Sequence, residues 1–168
     1  TLRDRPDELA AYTVCNELFG VMQSSRLFRH VREELGLCYF CDSALDMTKG
    51  ILWVSCGISP ESRAEAETAI RAELTAIQKG SITPEEGELA KLSLRNAYRQ
   101  MGDSQSSLEV FALNRMLGGT HDTPEAELSR IMAVTPADVS RVAKTFVPDT
   151  VFFLNGTARG EGEEDYDD

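Results

Sequence analysis

The stretch Ser24 to Ile58 constrains the fold most, because a helix, a glycine stop and two alternating strands follow one another with few spare residues. Ser24 or Ser25 can supply the N-cap hydroxyl and Gly36 the stop, so a short helix is expected between them. At about 100° per residue, Leu27, Phe28, Val31 and Leu35 share one arc. Arg26, Arg29, His30 and Glu33 then point away, and Arg32 sits at the border. Leu37 to Asp46 reads as a first strand, Thr48-Lys49-Gly50 as a turn, and Ile51 to Ile58 as the return. Leu52, Val54, Cys56 and Ile58 alternate onto one buried face, with Ile51 and Trp53 on the other.

The flanking chain is mostly helical. Pro6 can open a helix over Asp7 to Phe19 that presents Ala11, Val14, Cys15 and Leu18 on one face and stops at Gly20. Four later segments begin alike, with a hydroxyl, a proline and an acid, at Ser59-Pro60, Thr83-Pro84, Thr123-Pro124 and Thr135-Pro136. Thr83 with Glu86 completes a capping box. These helices should run to about Lys79, Met101, Val134 and Phe146, with another from near Ser106 to Leu117. Val151 to Leu154 reads as a short final strand. That order predicts an α+β domain, a two-layer structure in which a largely antiparallel sheet is covered on one face by helices.

Charge and composition exclude several classes. The formal net charge is −11, but six acids crowd into the last eight residues, and without them the chain carries only −5. The domain is therefore expected over 1–157, with 158–168 as a disordered acidic tail. No basic cluster with interleaved aromatics offers a phosphate-tracking surface, so nucleic acid is not an expected partner. No apolar run approaches the roughly 18 residues of a membrane span. The opening TLRDRPDELA has no apolar signal segment and reads as the start of a fragment or processed piece. Four cysteines are read as reduced thiols of a cytoplasmic protein. Cys38 and Cys41 form C-x-x-C, yet an offset of three along a regular strand puts their side chains on opposite faces, so they should not share a metal. Cys15 and Cys56 read as small core residues.

Around Gly36 a guanidinium, Arg32, and a phenol, Tyr39, come to the same end of one element. Helix-end capping by Arg32 and strand filling by Tyr39 would explain both. The run Ser25-Arg26-Leu27-Phe28, Val31-Arg32-Glu33 and Gly36-Leu37-Cys38-Tyr39, however, resembles the signature of the C-terminal homologous domain of the M16 zinc metallopeptidases. That family includes insulin-degrading enzyme, pitrilysin and the mitochondrial processing peptidases, and the likeness covers about residues 5 to 157. It implies the two-layer α+β fold of the LuxS and processing-peptidase type, with a strand before the first helix that is absent here or lies upstream of residue 1. It also implies that the domain closes like a clamshell over a complementary zinc-bearing domain or partner subunit. By position, Arg32 and Tyr39 would reach the peptide substrate there.

The chain itself holds no catalyst by its sequence. The family's zinc motif is H-x-x-E-H, and this chain has only His30 and His121, neither with a second histidine nearby. Both read as surface residues, and zinc is expected only in the complementary domain. No G-x-S-x-G elbow is present, and no cysteine lies near a histidine on its own element. Three functions remain: the substrate-clamping half of a zinc endopeptidase, a non-catalytic M16-like subunit or scaffold, and a free-standing interaction module.

Overall fold

The computed structural model describes residues 5–118 and 122–155. A 3-10 turn, Pro6–Glu8, leads into α1, Leu9–Asn16, which continues as a π-wound turn, Glu17–Val21. A second π-wound helix, Leu27–Glu34, precedes the antiparallel strands β1, Cys38–Asp46, and β2, Ile51–Ile58. Then come α2, Arg63–Gln78, α3, Pro84–Met101, α4, Gln105–Gly118, α5, Pro124–Ala133, and α6, Pro136–Ala143. This is the α+β arrangement the sequence implied. Among the described residues, the sheet is the two-stranded hairpin alone.

Helix α1 is the centre of the core. Tyr12, Val14, Cys15, Leu18 and Phe19 are all buried, because β1, α3, α5 and α6 close around this helix. The face predicted from periodicity is therefore only part of what α1 buries. The Tyr12 hydroxyl meets Thr145 Oγ1 at 2.9 Å, and its ring stands edge-on to Phe146 at 5.6 Å. A buried phenol is thus satisfied at both its polar and its apolar end.

The capping chemistry holds at three of the four hydroxyl–proline starts. Thr83 and Thr135 form capping boxes with Glu86 and Asp138, and Thr123 accepts from the backbone of Ala126. Ser59 makes no side-chain cap bond, since Pro60–Ser62 forms a 3-10 turn before α2 begins.

Several expectations need correction. Gly20 does not stop the first helix, because it lies inside the π-wound turn. A Cβ there would sit 2.6 Å from the backbone nitrogen of Ser43, so the glycine serves the close approach of that turn to β1. In Leu27–Glu34 the Leu35 N–H donates to His30 at 3.0 Å, five residues back. The wider winding changes the angular spacing that an α-helix would give. Leu27 and Val31 remain buried, Phe28 is half-buried and Leu35 is exposed. Gly36, at φ +62°, ends this helix as expected. Val151 to Leu154 forms no strand. The isolated segment has no ladder partner among the described residues, and Phe153 instead lies under the Arg63 guanidinium at 4.6 Å. The tail 158–168 and His121 lie outside the described residues.

Arg26 is the largest departure from the expected pattern: it is buried, not solvent-facing. Its Nε and Nη2 donate to the two carboxylate oxygens of Glu86 on α3, each at 3.0 Å, and Nη2 also reaches the Ser81 carbonyl. Nη1 lies 3.5 Å from Glu73 on α2, whose other oxygen is 2.7 Å from His30 Nδ1. One cation thus ties the π-wound helix to two later helices. Removing one partner of such a buried pair typically costs about 3–5 kcal/mol, because the other charge is left uncompensated.

Two tests follow from this packing. Gly20→Ala should destabilise the chain by about 1–3 kcal/mol in urea denaturation, since the helix must back away from β1. Arg26 and Thr83 hold the Glu86 carboxyl below its ordinary value of 4.5 against the opposing effect of burial. A carboxyl with a depressed folded-state pKa contributes stability that is present above its unfolded value and lost as pH falls through the folded one. Stability should therefore drop from about pH 4.5 downward, and Glu86→Gln, which can still complete the capping box, should flatten that drop.

Candidate functional site

The junction between the π-wound helix and β1 places the two sequence-predicted residues in the open. Arg32 lies in the last turn, with its guanidinium 4.7 Å above the Phe28 ring and its Nε 3.5 Å from Glu33. The side chain is 40% exposed, so the cation–π contact steadies it without sealing it. Tyr39 is 75% exposed, among the most exposed large side chains described. No hydrogen bond joins the two. Their common feature is position, on either side of the Gly36 turn, with both polar ends reachable from solvent.

Tyr39 is exposed because the ladder slips there. Cys38 pairs with Ile58, but Phe40 pairs with Gly57, so two steps on β1 face one on β2 and Tyr39 is the extra residue. A Cβ on Gly57 would lie 2.8 Å from Phe40 Cδ1, so the glycine leaves room for the Phe40 ring to cross the neighbouring strand.

The same slip overturns the reading of C-x-x-C. One extra residue converts an offset of three into the same face, and Cys38 joins Cys41 instead of opposing it. Cys41 stands directly across from Cys56. The three sulfurs lie within 4.8 Å of one another, and this is the one such group of three or more potential ligands among the described residues. Sequence reasoning missed Cys38 as a member of this group because it treated β1 as regular, and missed Cys56 because it did not carry the register from Asp46 against Ile51 back to Cys41 against Cys56. The glycine facing an aromatic residue was the available signal for the slip.

The thiols differ sharply in their hold on protons. Hydrogen bonds from Cys41 and Cys38 bring the Cys56 thiol down to about 7 against the effect of burial. Cys38 is raised to about 11, chiefly by desolvation and by the neighbouring Cys56, although the Arg32 charge opposes this. Cys41 is pushed up by its hydrogen bond to Cys56 and by burial. Cys15, deep in the core, is raised to about 12 by burial.

Residues 3–94 match the family model of the peptidase M16 inactive domain. The chain belongs to the M16 peptidase family. This M16 domain is 29% identical over 147 residues to "Probable inactive metalloprotease YmfF" of Bacillus subtilis, covering 88% of the chain and 34% of that protein. It is 34% identical over 137 residues to an "uncharacterized zinc protease" of Mycobacterium tuberculosis, covering 80% of the chain and 31% of the relative. The chain thus spans about a third of the length of these relatives. Among solved structures, a conserved protein from Enterococcus faecalis superposes with a TM-score of 0.74 at 35% identity, over 82% of this chain and 32% of that one. A peptidase M16 inactive domain from Pseudomonas fluorescens gives 0.70 at 18% identity, over 87% and 35%, which speaks to the fold alone.

The sequence has no H-x-x-E-H run, and of its two histidines only His30 is among the described residues. His30 is only partly exposed and is held by Glu73 at 2.7 Å and near Glu34 at 3.8 Å, so it is not the free surface residue expected. A groove of about 760 Å³ opens near the hairpin turn, lined by Leu45, Met47, Trp53, Tyr98 and Phe111 among others. Tyr39 and Leu45 are separated along β1 by roughly 20 Å, so the groove does not include the Arg32–Tyr39 junction. No described helix is long and apolar enough to cross a membrane.

Alkylation of the native chain tests the ordering of the thiols. Iodoacetamide at pH 7.5 should label Cys56 well before Cys38 and Cys41 and spare Cys15, with the Cys56 rate rising through a midpoint near pH 7. Peptide mass spectrometry reads each site.

Proposed function

We propose that this M16 domain is the substrate-clamping, zinc-free half of a zinc-dependent endopeptidase acting on peptides or small proteins. The observation that carries the reading is the joint exposure of Arg32 and Tyr39 beside a rigid, clamped helix. Arg32 supplies a permanent cation whose donor fork suits a peptide carbonyl or carboxylate, and Tyr39 supplies a phenol that can donate to a developing oxyanion. Neither group can split a peptide bond unaided. The attacking water belongs to a complementary H-x-x-E-H domain or subunit, which also provides the opposite wall of the cleft. A cytoplasmic setting with reduced thiols fits the four free cysteines.

A second reading is a non-catalytic M16-like subunit partnering an active homologue. The Bacillus subtilis relative named as a probable inactive metalloprotease favours it, since that protein aligns over most of this chain. The two readings share peptide binding and differ in turnover.

Binding of a labelled peptide to the full-length protein tests both. Arg32→Ala should weaken it by roughly 10- to 100-fold, the loss expected for a charge-assisted hydrogen bond. Tyr39→Phe should lower turnover more than binding if the phenol meets the oxyanion. Unchanged binding and turnover in the double variant would remove the clamping role. Retained binding in a protein that never cleaves and holds no H-x-x-E-H zinc would select the non-catalytic subunit.

A further inference from the structure

We propose that Cys38, Cys41 and Cys56 form a binding site for one soft, closed-shell metal cation, Zn(II) or Cu(I), distinct from any hydrolytic zinc of the family. The geometry is the argument. A zinc–sulfur bond is about 2.3 Å long, so three sulfurs around one ion stand about 3.8–4.0 Å apart. All three Sγ atoms already lie within 4.8 Å of one another, so small side-chain movements suffice.

The backbone holds this arrangement. Cys41 and Cys56 are register partners on adjacent strands, and the extra residue at Tyr39 turns Cys38 onto their face. Gly57 secures the slip by leaving space for Phe40. Cys41 is buried, while Cys38 and Cys56 are only partly so, which leaves a side through which an ion can arrive.

Three thiolates without a histidine are soft donors, suited to Cu(I) or Zn(II) and poorly suited to magnesium or calcium. Trigonal Cu(I) needs no further ligand, whereas Zn(II) would complete a tetrahedron with solvent on the open side. Binding exchanges each S–H bond for a sulfur–metal bond and releases the proton to solvent, with no change of oxidation state. The Arg32 guanidinium favours the ionised form of Cys38, while the Asp42 carboxylate opposes charge at Cys41 and Cys56. A cation between the sulfurs relieves that crowding.

The site would staple the start of β1 to the end of β2, beside the Arg32–Tyr39 junction. It stands whether or not the clamping role does, because its readout requires no substrate.

The experiment is a metal titration of the fully reduced, chelator-treated full-length protein under anaerobic conditions. Co(II), as the spectroscopic stand-in for Zn(II), should give a sulfur-to-metal charge-transfer band at one equivalent, which a histidine–carboxylate site elsewhere cannot produce. Zn(II) should displace it, and a parallel Cu(I) competition with a chelator of known affinity identifies the preferred ion. Cys38→Ser and Cys56→Ser should each weaken binding by at least about 100-fold while circular dichroism stays native, and Cys15→Ala should leave it unchanged. No thiolate band together with no Cu(I) uptake overturns the proposal, as does a band that survives loss of Cys38 and Cys56 together.

Discussion

A single buried guanidinium sets the architecture around the junction. Arg26 donates to Glu86 and to the Ser81 carbonyl and stands as an ion pair 3.5 Å from Glu73, drawing the start of one helix and the middle of another onto the π-wound segment. The carboxylates it meets have further duties. Glu86 closes the cap of α3 through Thr83, and Glu73 holds His30. Burying such charges is costly unless every partner is in place, so the network tolerates one geometry far better than its neighbours. The partly exposed Arg32, six residues further on, therefore projects from a helix anchored at its start.

The second constraint is the one-residue slip in β1. A regular strand would send Cys38 away from Cys41 and bury or expose Tyr39 by simple alternation. The slip instead exposes the phenol and collects three sulfurs on one face of the hairpin. The exposed phenol and the three grouped sulfurs thus share one backbone irregularity. Because only two strands pair among the described residues, the inner face of the return strand stays partly buried, and Ile51 and Trp53 remain open on the other. Such a sheet leaves room for further contacts along its edges.

Helix starts were legible because their causes are local. Thr83, Thr123 and Thr135 cap the turns directly ahead of them, and proline at the first position needs no distant partner. Gly36 could be read as a stop because its positive φ is a property of one residue and its neighbours. Gly20 looked identical in sequence but answers to Ser43, more than twenty positions later, and was misread for that reason. Val151 to Leu154 had strand composition but no ladder partner among the described residues.

By itself, then, the sequence determined the family likeness, the capped starts at Thr83, Thr123 and Thr135, the Gly36 stop and the hairpin, and it put Arg32 and Tyr39 on either side of that stop. Each rests on short-range patterning, or on a motif whose spacing is fixed along the chain. Only the tertiary structure decided that Arg26 is buried, that His30 is engaged by Glu73, and that Cys38, Cys41 and Cys56 converge. Those outcomes depend on a widened helical turn and a slipped ladder. Neither follows from the ideal periods of 3.6 and 2 by which a chain is read.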